Sequence, residues 1–132
     1  MLSALDISAS GLEARRVWMT TIAENIANAD TTRDATGAPN PYRRRTPVFA
    51  MEQVGSATGV RVTDVVEDRS PFRIVIDPGH PDADAGGRVR YPNVNVIQEM
   101  VDMLMASRSY EANVTAMDAT KSMFSSALGI LA

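Results

Sequence analysis

The forty residues from Asn93 to Ala132 constrain this chain most, because they read as one helix too long for the body that carries it. Steps of seven from Val96 land on Met103, Tyr110, Met117, Phe124 and Leu131, all apolar. A companion row four residues further on runs Met100, Ser107, Val114, Lys121, Leu128 and is apolar at three of five places. Heptad spacing kept over this length is the period of helices that wind around one another. Pro92 disfavours helix before it, Asn95 offers an N-cap, and Gln98 three residues on completes a capping-box pattern. Neither Gly nor Pro interrupts before Gly129. A helix of about 35 residues spans ~50 Å, wider than a globule of 132 residues. Such a helix needs partners.

Residues 3–29 predict a second helix, with Leu5, Leu12, Met19 and Ile26 at heptad spacing and Ala9, Ile22 and Ala23 beside them. Ser3 with Asp6, and Ser10 with Glu13, give two possible capping registers for its start. Gly11 weakens it by ~1 kcal/mol relative to Ala. Short polar side chains from Asn28 to Thr32 compete for the backbone and end it. From Thr31 to Pro47 the chain has no period and is punctuated by Gly37, Pro39, Pro41 and Pro47, so it reads as an extended loop. This loop holds Tyr42-Arg43-Arg44-Arg45, readable as an anion contact or, more plainly, as a solvated or subunit-contacting basic turn.

Between Val48 and Tyr91 the period changes to two. Val48–Met51, Val60–Val65, Phe72–Ile76 and Arg88–Tyr91 are strand candidates, separated by turns at Gly55–Gly59, Asp68–Pro71 and Asp77–Gly79. The expected architecture is mainly α with a small β region. Long terminal helices pair as a coiled coil, and an inserted antiparallel β element of three or four short strands sits at their far end. The chain divides into a first helix (1–30), a loop and β-rich region (31–92) and a final helix (93–132).

Few chemistries are open to this composition. A net charge of −3 argues against nucleic acid, and the absence of cysteine removes thiol nucleophiles, disulfides and Cys-based zinc sites. No apolar run approaches the ~20 residues of a membrane span, so membrane insertion is not expected. The first residues lack the basic lead and apolar block of a secretory signal. The single histidine, His80, lies among Asp77, Asp82 and Asp84. A loop begun at Asp82 fails as a calcium loop, with Gly86 at its fifth place and Asn93 at its twelfth. Zinc wants more nitrogen or sulfur than one His supplies. The aspartates are expected to close turns, with no metal, no cofactor and no catalytic set. The apolar helix faces remain. Two helices alone enclose no core, so their ordering is expected to be completed in a larger bundle.

Three stretches carry a resemblance. Ile7–Leu12 through Ile22–Ala29 resembles the N-terminal signature of the flagellar rod, hook and axial protein family. Ser70–Arg73 with Asp77–Asp84, and Tyr91–Val96 with Glu99–Val101 and Ser107–Val114, resemble its proximal-rod members. One departure is visible: the family pattern Ala-Asn-x-Asn-Thr reads Ala27-Asn28-Ala29-Asp30-Thr31 here, exchanging an amide for a charged carboxylate. The resemblance implies a structural subunit without catalysis, exported through the flagellar type III apparatus without a cleaved signal and assembled in the periplasm. It implies neighbours of the FlgB, FlgF, FlgG and FliE types and further copies of the same chain. The terminal helices would then form an inner tube that transmits torque. Leu5, Leu12, Met19, Ile22 and Ile26, with Met100, Met103, Tyr110, Val114, Met117, Phe124 and Leu128, are the expected assembly contacts. Asn25, Asn28, Asp30 and Thr31 are the family-motif positions at the first helix's exit. The remaining alternatives are a sister rod or axial subunit and a soluble cytoplasmic helical adaptor.

Overall fold

The computed structural model describes residues 2–55 and 57–131; the side chains of Leu2, Ser3 and Leu131 lie outside the described ones. Six elements follow in order: α1 (Leu2–Ala27), β1 (Arg45–Val54), β2 (Ala57–Glu67), β3 (Arg73–Ile76), β4 (Arg88–Tyr91) and α2 (Val96–Leu131). The mainly α reading with a small β region holds.

The helix ends follow from short polar side chains. Asn95 Oδ1 accepts the backbone N–H groups of Ile97 (3.1 Å) and Gln98 (3.3 Å), fixing the start of α2. The Gln98 amide turns to Asp102 at 3.1 Å, so the cap is one-way. At the exit of α1, Asn28 donates to the Glu24 carbonyl (2.9 Å) and accepts from the Thr31 hydroxyl (3.2 Å). The Ser10–Glu13 capping register is not used: the helix already runs from Leu2, and Ser10 Oγ bonds back to the Ile7 carbonyl.

The helices pair antiparallel. Asn25 meets Glu99, Arg15 meets Ser109, and Gly11 lies against Asn113, so numbers rise along α2 as they fall along α1. On α2 the seam row through Met103, Tyr110 and Met117 is half-buried as expected, but its companion row differs from the expected one. The residues that close the seam are Glu99, Ala106, Asn113, Thr120 and Ala127, three places on rather than four. These are mostly small, and the helices come close. A Cβ on Gly11 would stand 2.9 Å from Asn113 Nδ2, which gives this helix-weakening glycine its reason. Thr21 and Thr120, both buried, satisfy their hydroxyls on the Val17 and Ala116 carbonyls of their own helices.

All four strand candidates form, as two separate two-stranded antiparallel sheets rather than one element. The break falls at residues 68–71, where Asp68 turns the chain by accepting the Ser70 N–H (2.8 Å) and Pro71 brings no N–H of its own. The β1–β2 hairpin is longer than expected, since Val54 pairs with Ala57 directly and Gly55 takes a positive φ of 63°. Val48 pairs with Asp64 and Phe49 with Val62, leaving Thr63 as a bulge that bends the ladder.

The hairpin does not sit at the far end of the helices but lies along α1. Arg45 bonds Asn25, the Phe49 ring meets Trp18 edge-on at 6.2 Å, and Val60 N donates to Ser10 Oγ at 3.2 Å. Alternating side chains give the hairpin one face that packs on the helix. Helix α1 is therefore the central stave, with α2 and the hairpin each packed against it.

The core is thin. Among the described residues the buried apolar set is Ala14, Ile22, Ala29, Val89, Val94 and Ala106. The chain exposes 8664 Å², against about 6,800 Å² for a compact monomer of its 14.2 kDa mass. More than half of the large apolar residues exposed among the described ones lie on α2.

Candidate assembly interface

The helix pair is held in place at one end by a joint of buried polar groups. Asn25, 1% exposed, reaches it from α1; Glu99, fully buried, reaches it from α2; Tyr42 and Arg44 come from the loop that enters β1. Asn25 uses all its amide capacity. Its Oδ1 accepts the Arg45 N–H (2.8 Å) and the Tyr42 hydroxyl (3.0 Å), while its Nδ2 donates to the Arg45 carbonyl (2.8 Å) and Glu99 Oε2 (3.1 Å). Arg44 Nε closes on Glu99 Oε1 at 2.6 Å, and its Nη1 donates to the Thr46 hydroxyl at 3.0 Å. Asn93, just ahead of α2, accepts the Arg44 N–H (2.9 Å) and donates to the Asp68 (3.0 Å) and Ser70 (3.2 Å) carbonyls. A buried charge is tolerable only when so paired, and no buried side-chain N or O among the described residues lacks a partner.

The arginine run is explained by this joint. Arg44 neutralises Glu99, Arg43 stacks over Phe72 at 4.2 Å and donates to the Asp68 and Ser70 carbonyls, and Arg45 lies over Tyr42 at 5.6 Å. Burial raises the Tyr42 hydroxyl above its ordinary pKa, keeping it a neutral donor to Asn25. Glu99, Arg44 and Asn93 carry the joint, although in the sequence Arg44 stood out only within a basic turn, Glu99 only within a family-like stretch and Asn93 only ahead of the long helix and at the failed calcium loop's last place. The one available signal was a glutamate on the inward side of a heptad row, three residues after Val96.

The acidic–imidazole cluster also works inside the chain. Asp82 accepts from Thr32 (2.8 Å) and Arg33 (2.8 Å), tying the first loop to the second, and the Arg33 and Thr32 hydrogen bonds hold its carboxyl below the usual carboxylate range. His80 Nδ1 accepts the Asp82 N–H at 3.1 Å, and Asp77 and Asp84 bond turn N–H groups at Gly79 and Gly86. Of the motif positions at the exit of α1, Asn28 and Thr31 bond one another and Asp30 meets Arg73 at 3.4 Å.

The expected contact residues divide into two groups. Ile22 is closed inside the chain at 2% exposure, while Leu5, Leu12, Met19 and Ile26 on α1 and Met103, Tyr110 and Met117 on α2 are half-buried. Tyr110 shares a cleft with Leu12 and Arg16, which places this row at the seam between the two helices. Met100, Val114, Phe124 and Leu128 are exposed, and so are Ile97, Val101, Leu104 and Met105. Apolar residues therefore cover both sides of α2, one packed on α1 and one facing outward. A helix apolar on two sides carries one more apolar face than a single partner helix covers.

Two family models match the chain: "Flagella basal body rod protein" over residues 5–33 and "Flagellar basal body rod FlgEFG protein C-terminal" over residues 85–130. Together they cover most of the helix pair and, from the joint, Asn25, Asn93 and Glu99. Curated relatives match nearly end to end. The flagellar basal-body rod protein FlgC of Borreliella burgdorferi is 41% identical over 99% of this chain and 97% of its own length. That of Bacillus subtilis is 44% identical over 96% and 95%, and that of Yersinia enterocolitica 45% identical over 93% and 92%.

Proposed function

The chain belongs to the FlgC family of flagellar basal-body rod proteins, and on that premise we propose how it serves the rod: its paired terminal helices are staves of a tube, fixed in register by the polar joint and covered outwardly by neighbouring subunits. It is a structural subunit of the flagellar basal body. The observation that carries the finer reading is the outward apolar face of α2, present on a chain whose accessible surface exceeds that of a compact monomer by roughly a quarter.

In this reading Met100, Val114, Phe124 and Leu128 meet neighbours, and the half-buried rows of both helices complete their burial in the bundle. The β1–β2 hairpin makes contacts outside the tube. Torque passes through many parallel helix contacts, each weak alone. The neighbours are further copies and rod subunits of the FlgB, FlgF, FlgG and FliE types. The chain reaches the periplasm through the flagellar type III export apparatus without a cleaved signal, and it performs no catalysis. Division into an axial helix pair (1–30 with 93–132) and an outer region (31–92) belongs to the same proposal.

Leu104→Asp tests it. The position is exposed in the single chain, so the helix pair tolerates the change, whereas an interface would be left with an unpaired buried charge. The variant is expected to be exported normally, to be missing from purified basal bodies and to leave cells non-motile. Normal swimming with the variant in the rod would refute the outward-face reading.

A further inference from the structure

Four polar side chains are buried among the described residues, and only two of them depend on how the helices are registered. Thr21 and Thr120 are satisfied on carbonyls of their own helices, wherever the partner helix stands. Asn25 and Glu99 reach across to each other, and Glu99 reaches Arg44 as well. The seam around them repeats. Its inward places on α2 are Glu99, Ala106, Asn113, Thr120 and Ala127, and beside them run Met103, Tyr110, Met117 and Phe124. A step of one heptad exchanges compact side chains for compact ones and large apolar ones for large apolar ones. Glu99 is the single charged place in either row and has no copy further along.

The helix lengths leave room for such a step. Asn25 meets Glu99, Arg15 meets Ser109 and Gly11 lies against Asn113, so Leu2 falls opposite residue 122 and residues 123–131 run past the start of α1. Slid seven residues toward the end of α2, α1 would place Leu2 opposite residue 129 and Asn25 opposite Ala106, still paired over its full length. A slide the other way would carry the last residues of α1 beyond the start of α2 and lose pairing. The β1–β2 hairpin is fastened to α1 through Arg45, Phe49 and Val60 and would ride with it. Residues 68–72, which lie outside both sheets, would take up the movement. The other cross-ties, from Asn93 to the Arg44 N–H and from Asp82 to Thr32 and Arg33, join loops rather than helices.

We propose that Asn25, Glu99 and Arg44 act as a register selector: they exclude a heptad-slipped pairing of α1 on α2 that the seam and the helix lengths otherwise accept. The inference rests on the reading of the helices as staves fixed in register by the joint, and it names the register that is refused. In the slipped pairing Glu99 stands beyond the end of α1, parted from Asn25 and from Arg44. Asn25 then meets the methyl group of Ala106, which accepts no hydrogen bond. Buried polar groups discriminate in this way between pairings of similar apolar quality, because their bonds form in one register and have no replacement in the other.

Spin labels test the proposal in the free, full-length chain, which has no cysteine of its own. The labels are placed by Glu24→Cys and Lys121→Cys, exposed positions that lie alongside the partner helix in both registers. Slippage shortens their separation by about 10 Å, the rise of one heptad, which pulsed dipolar resonance resolves. With the joint intact a single, longer distance is expected. Arg44→Met with Glu99→Met removes both charges together and keeps the volume, and the shorter distance is then expected too, the two populations lying within about tenfold of each other. Thr21→Val with Thr120→Val is expected to keep the single long distance, since those hydroxyls see only their own helices. A joint that merely stabilises would instead lower the melting temperature of the Met variant without adding a distance. Absence of the shorter distance from the Met variant overturns the proposal, whether the chain keeps the long one, which passes the selection to the loop ties, or loses its helices. A shorter distance in the threonine control or with the joint intact overturns it as well. The rod-subunit reading fails separately, as Leu104→Asp cells that swim, and that outcome leaves these distances unchanged.

Discussion

At the scale of single residues, the joint makes an asymmetric prediction. Glu99 is fully buried, whereas the Arg44 side chain keeps 26% exposure. Removing the arginine in Arg44→Ala strands a buried carboxylate and should cost about 3–5 kcal/mol of unfolding free energy. Removing the charge in Glu99→Gln leaves an arginine that can turn to water and an amide that can still meet Asn25, so the loss should be smaller. Denaturant titration of both variants checks the order. Gly59 offers a second test. A Cβ there would stand 2.5 Å from Ser10 Oγ, where β2 crosses α1. Gly59→Ala should therefore destabilise by about 1–3 kcal/mol, and by less in a Ser10→Ala background, because the two positions share one contact. None of this was legible beforehand. Nothing in a linear string marks Glu99 as inward when its row is read one residue out of place, and Gly59 reads as a turn until Val54 and Ala57 are seen to pair.

At the scale of elements, the readable parts were those governed by local rules. The bounds of α2 followed from Pro92 and the Asn95 cap, and four strands followed from period-two patterning. Asn95→Ala should cost about 1 kcal/mol of stability, since it frees two backbone N–H groups at the helix start. The companion row was missed for a physical reason. Apolarity was the guide, but a close helix pair selects small side chains and satisfied polar ones, so Ala106, Thr120 and Glu99 face inward while Met100 and Leu128 face out. The hairpin's position along α1 depended on Phe49 meeting Trp18 and on Asn25 bonding Arg45, contacts between segments far apart in sequence. The loops add a pH dependence. Hydrogen bonds from Ser70 to Asp68, from Arg33 to Asp82 and from Arg88 to Asp84 hold these carboxyls below their ordinary range. Their contribution to stability is complete above about pH 4 and drains as pH falls through the depressed folded values. Thermal melts of the native chain should be flat from neutrality to about pH 5 and decline below pH 4, with Asp82→Asn less sensitive in that lower window.

At the scale of the whole molecule, a thin core and a two-sided α2 support the proposal that neighbours complete this chain's burial. Residues 123–131 have no partner helix alongside on the register of the pair, and isolated helical turns of that length are marginal in water. Circular dichroism should therefore show helicity rising with protein concentration, whereas helicity already complete in a dilute monomer would contradict ordering coupled to assembly. The central claim is that the outward face of α2 is covered in the rod, and the most direct measurement is the alkylation rate of a Leu104→Cys chain in intact basal bodies against the same chain after dissociation. Burial in an interface core predicts a rate slower by roughly tenfold or more in the intact particle. Equal rates, in particles shown to contain the chain, would contradict it.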